Sequence, residues 1–262
     1  LRMGHSDIKD HMFIDGLEDA YDEGKLMGSF AEDTAEYYQF SRQEQDNFAI
    51  ESLNRARKAN EDGSFDNEIT PIKTIIHKKD FLVEKDEQPY KAKIEKIPSL
   101  RPAFKKDGTV TAANSSSISD GASSLMLMKL SQAEKKGLKP LAKICGHSTN
   151  SHEPKWFTTA PIGAIKKVLE KVNWKKNEVD LFEINEAFAV VPMSAIKELS
   201  LSHDITNING GACALGHPVG ASGARIITTL LHSLKKHNLN KGLAALCIGG
   251  GEATAMALEI IN

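Results

Sequence analysis

Two residues near the end of the chain have the side chains and the surroundings for proton transfer. His217 lies in Asn209-Gly210-Gly211-Ala212-Cys213-Ala214-Leu215-Gly216-His217-Pro218-Val219-Gly220-Ala221-Ser222-Gly223, and Cys247 in Leu246-Cys247-Ile248-Gly249-Gly250-Gly251. Glycines let backbone approach a ligand closely and leave amides free to point at it. A thiol and an imidazole beside such amides suit a site where an oxyanion forms and protons move. A lone cysteine in an apolar strand is ordinarily a packing residue. A triple glycine weakens a strand, however, so it signals a backbone purpose, and a thiol beside exposed amides is expected to have a lowered pKa. Pro218 fixes the backbone after His217, where the loop enters a helix near Ala221-Ser222-Gly223; an imidazole there can activate a thiol or donate to an oxyanion. Asn185-Glu186-Ala187-Phe188 follows a predicted strand. Its asparagine is either a turn or cap residue, or an amide that orients a water or polarises a carbonyl. Asn114-Ser115-Ser116-Ser117 reads as a polar linker or as a wall against an extended ligand. Cys213 reads as structural, and Cys145 sits in a plain strand pattern.

Other chemistries are disfavoured. The glycine-rich stretch lacks the Gly-Lys-Ser/Thr ending of a phosphate loop and does not read Gly-x-Gly-x-x-Gly. No cysteine and histidine spacing matches a zinc site, so no metal is expected. A net charge of −2 and an aromatic content of 6% speak against nucleic acid or a membrane surface as the main partner. No apolar run approaches spanning length. Three cysteines do not make a disulfide framework, so a reducing compartment is expected.

The elements that would position these residues follow from periodicity. With 262 residues, 40% of them hydrophobic, the chain can bury one or two cores. Residues 1–118 are charge-rich and broken by glycine and proline. They hold one well-signalled helix, with Ser41 and Glu44 as a capping box, Phe48, Leu53 and Ala56 on one face, and a stop at Asn60-Glu61-Asp62-Gly63. Residues 68–87 read as short, irregular strand and loop. Residues 121–128 suggest a buried helix feeding a strand. Beyond them, strands are expected at 141–145, 179–184, 205–208, 243–248 and 254–260. Helices carrying Ile165/Val168/Leu169/Val172, Val191/Ala195/Ile196/Leu199 and Ile226/Ile227/Leu230/Leu231/Leu234 lie between them. The order βαβαβαββ implies an α/β layer with a mostly parallel sheet, whose strand-end loops carry Asn185, His217 and Cys247.

Together these motifs resemble the thiolase family. The matches are Asn185-Glu186-Ala187-Phe188, then Asn209-Gly210-Gly211-Ala212 through Gly216-His217-Pro218, then Cys247-Ile248-Gly249-Gly250-Gly251. Earlier ones are Arg2-Met3-Gly4-His5, Asp15-Gly16-Leu17, Met27-Gly28, Ser41-Arg42, Leu100-Arg101-Pro102-Ala103-Phe104 and Gly108-Thr109-Val110-Thr111-Ala112. The nearest subgroup is similar to the bacterial acetyl-CoA acetyltransferases. The resemblance implies a thiolase-like C-terminal α/β layer with a mixed sheet over residues 141–262. It implies an irregular α+β loop domain over residues 1–118 and a remnant of the N-terminal domain over 119–140. It implies a C-terminal fragment lacking the half that carries the nucleophilic cysteine.

Reversible Claisen condensation of two acetyl-CoA to acetoacetyl-CoA and CoA is the activity the resemblance implies. Thiolysis of longer 3-ketoacyl-CoA in fatty-acid β-oxidation is the alternative, and a non-catalytic CoA-binding module is a reading of another class. A ketoacyl synthase would place a histidine where Cys247 stands. By resemblance, His217 activates the nucleophile and Cys247 is the general acid/base. Asn185 and the Gly249 amide serve the oxyanion holes. Ala112, Ser116, Ala187 and Phe188 line the CoA channel, and Met27 lies near the acyl pocket. Acetyl-CoA, acetoacetyl-CoA and CoA are the expected substrates, with no further cofactor. A cytoplasmic dimer or tetramer is the expected form.

Overall fold

In a computed structural model, residues 3–76 and 78–261 are described. The first part of the chain builds α1 (Met27–Tyr38) and α2 (Arg42–Glu61), then a hairpin of β1 (Ile72–Ile76) and β2 (Lys79–Val83), then α3 (Gln88–Lys91). The helix signalled by Ser41 starts where expected. Glu44 N donates to Ser41 Oγ at 3.2 Å, and Ser41 N donates to Glu44 Oε2 at 2.7 Å, so the two free ends satisfy each other. The irregular strand at 68–87 is the β1–β2 hairpin, paired antiparallel.

Next come α4 (Leu130–Lys135), β3 (Ala142–Ser151), α5 (Ala160–Val172), β4 (Leu181–Ile184), α6 (Val190–Leu199), α7 (Ala212–Leu215), α8 (Ser222–Lys236), β5 (Lys241–Ile248) and β6 (Glu252–Ile260). The sheet order is β3-β6-β5-β4. Side chains alternate across it. Phe182, Ile184, Leu243, Ala245, Cys247, Ala253 and Ala255 face a core shared with Ile165, Val168 and Val191 of α5 and α6. Leu181, Ala244 and Leu258 face the other way, onto Ile226, Leu230 and Leu234 of α8. The result is an α/β layer with helices on both faces of a mixed sheet.

Two expectations about the sheet are corrected. It is not mostly parallel: β4–β5 is parallel, whereas β5–β6 and β3–β6 are antiparallel. The short glycine link between β5 and β6 leaves room for a hairpin and no room for a crossover. Residues 205–208 do not form a strand; they contribute a 3-10 turn and a single parallel bridge, Phe182 to Thr206.

Residues 121–128 depart further. They form neither helix nor strand but lie against α8, with Ser123 Oγ 3.2 Å from Thr228 Oγ1 and Leu125 against the α8 core. Met126 is 82% and Leu127 68% exposed. Nothing among the described residues covers them, and an apolar run takes a regular form only where a partner buries it.

Candidate active site

The extended segment 114–118 holds the site together. Its Ser115 bridges Phe188, Ser116 N donates to Ala187 O at 3.0 Å, and Ala189 N donates to Asn114 O at 2.8 Å. One step on, Ile118 bridges His217, whose N donates to Ser117 O at 3.0 Å. The segment is therefore pinned between the turn after β4 and the loop before α8. Asn114 anchors it from behind. This side chain is buried, accepts from Thr111 N at 2.7 Å and donates to Asp46 Oδ1 at 3.0 Å. Upstream, Glu32 of α1 accepts from Thr109 N and Val110 N at 2.9 Å.

His217 sits half-buried at the centre. Its Nδ1 lies 2.5 Å from Ser222 Oγ, and its Nε2 lies 3.3 Å from Asn185 Nδ2. Ser222 gives its one hydroxyl hydrogen to Pro218 O at 3.1 Å, so it accepts from His217 Nδ1–H. The tautomer that follows leaves Nε2 bare, a proton acceptor turned toward Asn185. Burial, reinforced by the positive charge of Arg225, pushes His217 down to about 4. The ring is thus neutral at physiological pH, the form that can take a proton from a thiol. Asn185 is buried just beyond β4, and its Oδ1 has no hydrogen-bond partner among the described residues.

Cys247 is the last residue but one of β5, paired with Ala253 of β6, and is buried. The expectation of a lowered pKa is corrected. Burial pushes the thiol up to about 12, because its apolar core neighbours disfavour a thiolate more than nearby amides favour it. The side chain is a held proton, which suits an acid. Beyond it, Gly251 has φ 96°, and a Cβ there would stand 2.3 Å from His152 O, so the turn admits no side chain. Gly249 faces solvent, and a Cβ on it would lie 3.3 Å from Met27 Sδ. Met27 and Gly249 therefore meet, as a shared acyl pocket would require.

The other expected lining residues divide. Phe188 and Ala187 are buried, with Phe188 edge-on to Phe104 at 6.0 Å between centroids. Ser116 turns its hydroxyl onto Ala187 O at 2.9 Å, and Ala112 is exposed. Cys213 points its thiol at Glu186 O, 3.8 Å away, and burial raises its pKa well above the ordinary value.

Ser222 touches the His217 ring and Glu186 is buried next to Asn185, although no sequence pattern assigns either a task. Ser222 could be inferred from its place at the start of the helix after His217. The role of Glu186 depends on partners far along the chain. Among the described residues, no group of His, Cys, Asp and Glu could hold a metal ion.

Two family models match this chain: the N-terminal domain of thiolase over residues 1–131 and the C-terminal domain of thiolase over residues 138–260. The chain belongs to the thiolase family. The first match corrects the expectation of a C-terminal thiolase fragment, since residues of both thiolase domains are present. A probable acetyl-CoA acetyltransferase of Dictyostelium discoideum is 47% identical over 260 residues, 98% of this chain and 62% of that protein. The acetyl-CoA acetyltransferase of Shinella zoogloeoides is 45% identical over 260 residues, 99% of this chain and 66% of that protein. The chain thus spans less than two thirds of the length of these relatives. The fold is that of a thiolase. Bacillus anthracis acetyl-CoA acetyltransferase superposes with a TM-score of 0.95 at 44% identity, over 99% of this chain and 66% of that one. Acat5 thiolase of Ascaris suum, solved with coenzyme A, gives 0.90 at 39% identity, over 100% and 66%.

Proposed function

We propose that this thiolase is an acetyl-CoA C-acetyltransferase, which condenses two acetyl-CoA to acetoacetyl-CoA and CoA and runs the reverse thiolysis. The observation that carries the reading is the neutral His217, with Nε2 bare beside Asn185. In thiolysis, a cysteine thiol loses its proton to His217 Nε2 and attacks the 3-keto carbon. The bond between C2 and C3 breaks, and the leaving enolate of acetyl-CoA takes the Cys247 proton. CoA then gives its thiol proton to Cys247, its sulfur bonds to the acyl carbon, and the departing cysteine thiolate takes back the proton held on His217. Covalent transfer divides one hard step into two easier ones. The Asn185 amide and the Gly249 N–H are the donors proposed for the oxyanions; such a donor is worth about 2.7–4 kcal/mol.

None of the three cysteines suits the nucleophile. Cys145 lies by Lys143 and Glu259 on β3, Cys213 is turned onto Glu186 O, and Cys247 is a buried acid. In this reading the acyl-accepting thiol comes from outside these residues, and the chain alone does not turn over. Residues 1–118 act as the loop domain, 119–140 as part of the N-terminal domain, and 141–262 as the C-terminal domain.

Coenzyme A serves as substrate with no other cofactor, in the channel lined by Ala112, Ser116, Ala187 and Phe188. Three free cysteines fit a reducing, cytoplasmic setting. No described helix is long and apolar enough to cross a membrane. The exposed Met126 and Leu127 favour a dimer or tetramer over a monomer. Cleavage of acetoacetyl-CoA by CoA is the test, run on the chain alone and on the chain joined to a relative's preceding segment. Activity of the joined protein that is lost in His217→Ala and Cys247→Ala supports the reading. Activity that survives both substitutions overturns it.

A further inference from the structure

Asn185 and Glu186 are neighbours, so their side chains leave the backbone in opposite directions. Asn185 turns to His217, whereas Glu186 turns inward and is 0% exposed. Its Oε2 accepts from Ser52 Oγ of α2 at 2.7 Å and from Cys213 N at 3.1 Å. Its Oε1 accepts from Asn207 Nδ2 at 2.9 Å. Each partner is fixed in turn. Ser52 Oγ accepts from Gly211 N at 2.9 Å. Asn207 accepts from Ile184 N and donates to Ile184 O, both at 2.8 Å. Gly211 leaves the room: a Cβ there would stand 2.3 Å from Glu186 Cδ. The carboxylate therefore ties the end of β4 to α2 and to the loop that becomes α7 and then His217.

We propose that Glu186 is a positioning residue, whose three hydrogen bonds set the distance between the Asn185 amide and the His217 ring. Only an acceptor-only group satisfies this node, since three donors converge on it. An amide in its place turns an N–H either toward Asn207 Nδ2 or toward Ser52 and Cys213 N. The backbone N–H cannot rotate away, and Asn207 cannot flip without releasing Ile184. A buried polar pair left facing like to like weakens the whole network. The link from Glu186 to His217 rests on geometry alone, and only its kinetic consequence rests on the thiolase reading.

The test is Glu186→Gln in the full chain with 15N-labelled histidine, with folding checked by circular dichroism. The His217 nitrogen shifts should move from one Nδ1–H tautomer toward a mixture. In the joined, catalytically competent protein, kcat should fall by about ten- to hundredfold, while KM stays within about twofold. Ser52→Ala removes one donor and keeps the carboxylate; it should move the same shifts in the same direction, by less. Unchanged His217 shifts in folded Glu186→Gln overturn the proposal. If that variant does not fold, unchanged shifts in Ser52→Ala overturn it equally. Moved shifts in a protein that never cleaves acetoacetyl-CoA would uphold the positioning role and sink the thiolase activity.

Discussion

The Asn185 amide stands 3.3 Å from His217 Nε2, across a gap bridged by neither residue's own element. Asn185 follows a strand, and His217 precedes a helix. Segment 114–118 pairs with the backbone of residues 187–189 and of His217 and so holds the two loops side by side. Ser222, on the other side of the ring, sets Nε2 as the base, and that nitrogen faces the Asn185 amide.

His217 should titrate with a midpoint near the value of about 4 that burial and Arg225 impose. Between that midpoint and its ordinary value of 6.5, the unfolded chain binds a proton that the folded protein refuses. Stability from this group is therefore lost as pH falls from 6.5 through about 4. Histidine NMR from pH 3 to 8 measures it. A midpoint near 6.5 would refute the buried, neutral ring.

Ser222→Ala removes the acceptor for Nδ1–H. A lost hydrogen bond of about 0.5–1.5 kcal/mol corresponds to roughly two- to twelvefold in rate. Turnover of the competent protein should fall by that factor, and the tautomer should mix. Equal turnover would show that Ser222 does not hold the ring.

Cys247 should resist alkylation. With its thiol pushed up to about 12 by burial, almost none is thiolate at neutral pH. Mass spectrometry after iodoacetamide at pH 7.5 should find Cys247 unmodified while the half-buried Cys145 reacts. In the competent protein, Cys247→Ala should still form the acyl-enzyme yet not turn over. Near-normal turnover would remove Cys247 from the acid/base role.

Stability should fall as pH rises through the neutral range. Burial pushes Glu183 up to about 8 and Glu68 up to about 7; the Arg225 guanidinium, 3.8 Å from Glu183, offsets only part of this. Above the ordinary carboxylate value of 4.5, the folded state keeps protons that the unfolded chain has released, so each pH step toward about 8 favours unfolding. Urea midpoints at pH 5 and pH 8 should differ, with the lower midpoint at pH 8. Glu183→Gln should shrink that difference. A midpoint that rises with pH would contradict it.

Leu230→Ala should destabilise the fold by about 2–5 kcal/mol, since its side chain is wholly enclosed between α8 and the sheet. Urea unfolding measures it. A loss under about 1 kcal/mol would mean that the core beneath α8 is loosely packed.

Much of this was legible in the residues, and the misses share a cause. Ser41 and Glu44 announced α2 because a capping box is a local contact. The stripes of α5, α6 and α8 showed because helical burial repeats along the chain. Strand direction is invisible to periodicity, so β6 had to be seen pairing antiparallel with both neighbours. Residues 121–128 have the composition of a buried element but lack the neighbour that would bury them. The amides near Cys247 are legible in the sequence and the enclosing core is not, so the sequence points to a lowered pKa where burial raises it. Ser52 meets Glu186 across more than a hundred residues and Asn207 meets it across the whole of α6, and no local pattern joins the three.

Residues 114–118 also determine which sequence changes this fold can absorb. Their pairings run from the 187–189 turn to His217 without slack, each carried by backbone. Most side chains in such a ribbon could be exchanged one at a time. Deleting a single residue would instead slide every later pairing by one and reverse which side chains face each way. Length, more than composition, is the inherited quantity here: substitutions should accumulate in this ribbon, while insertions and deletions collect in the β1–β2 hairpin, which stands exposed.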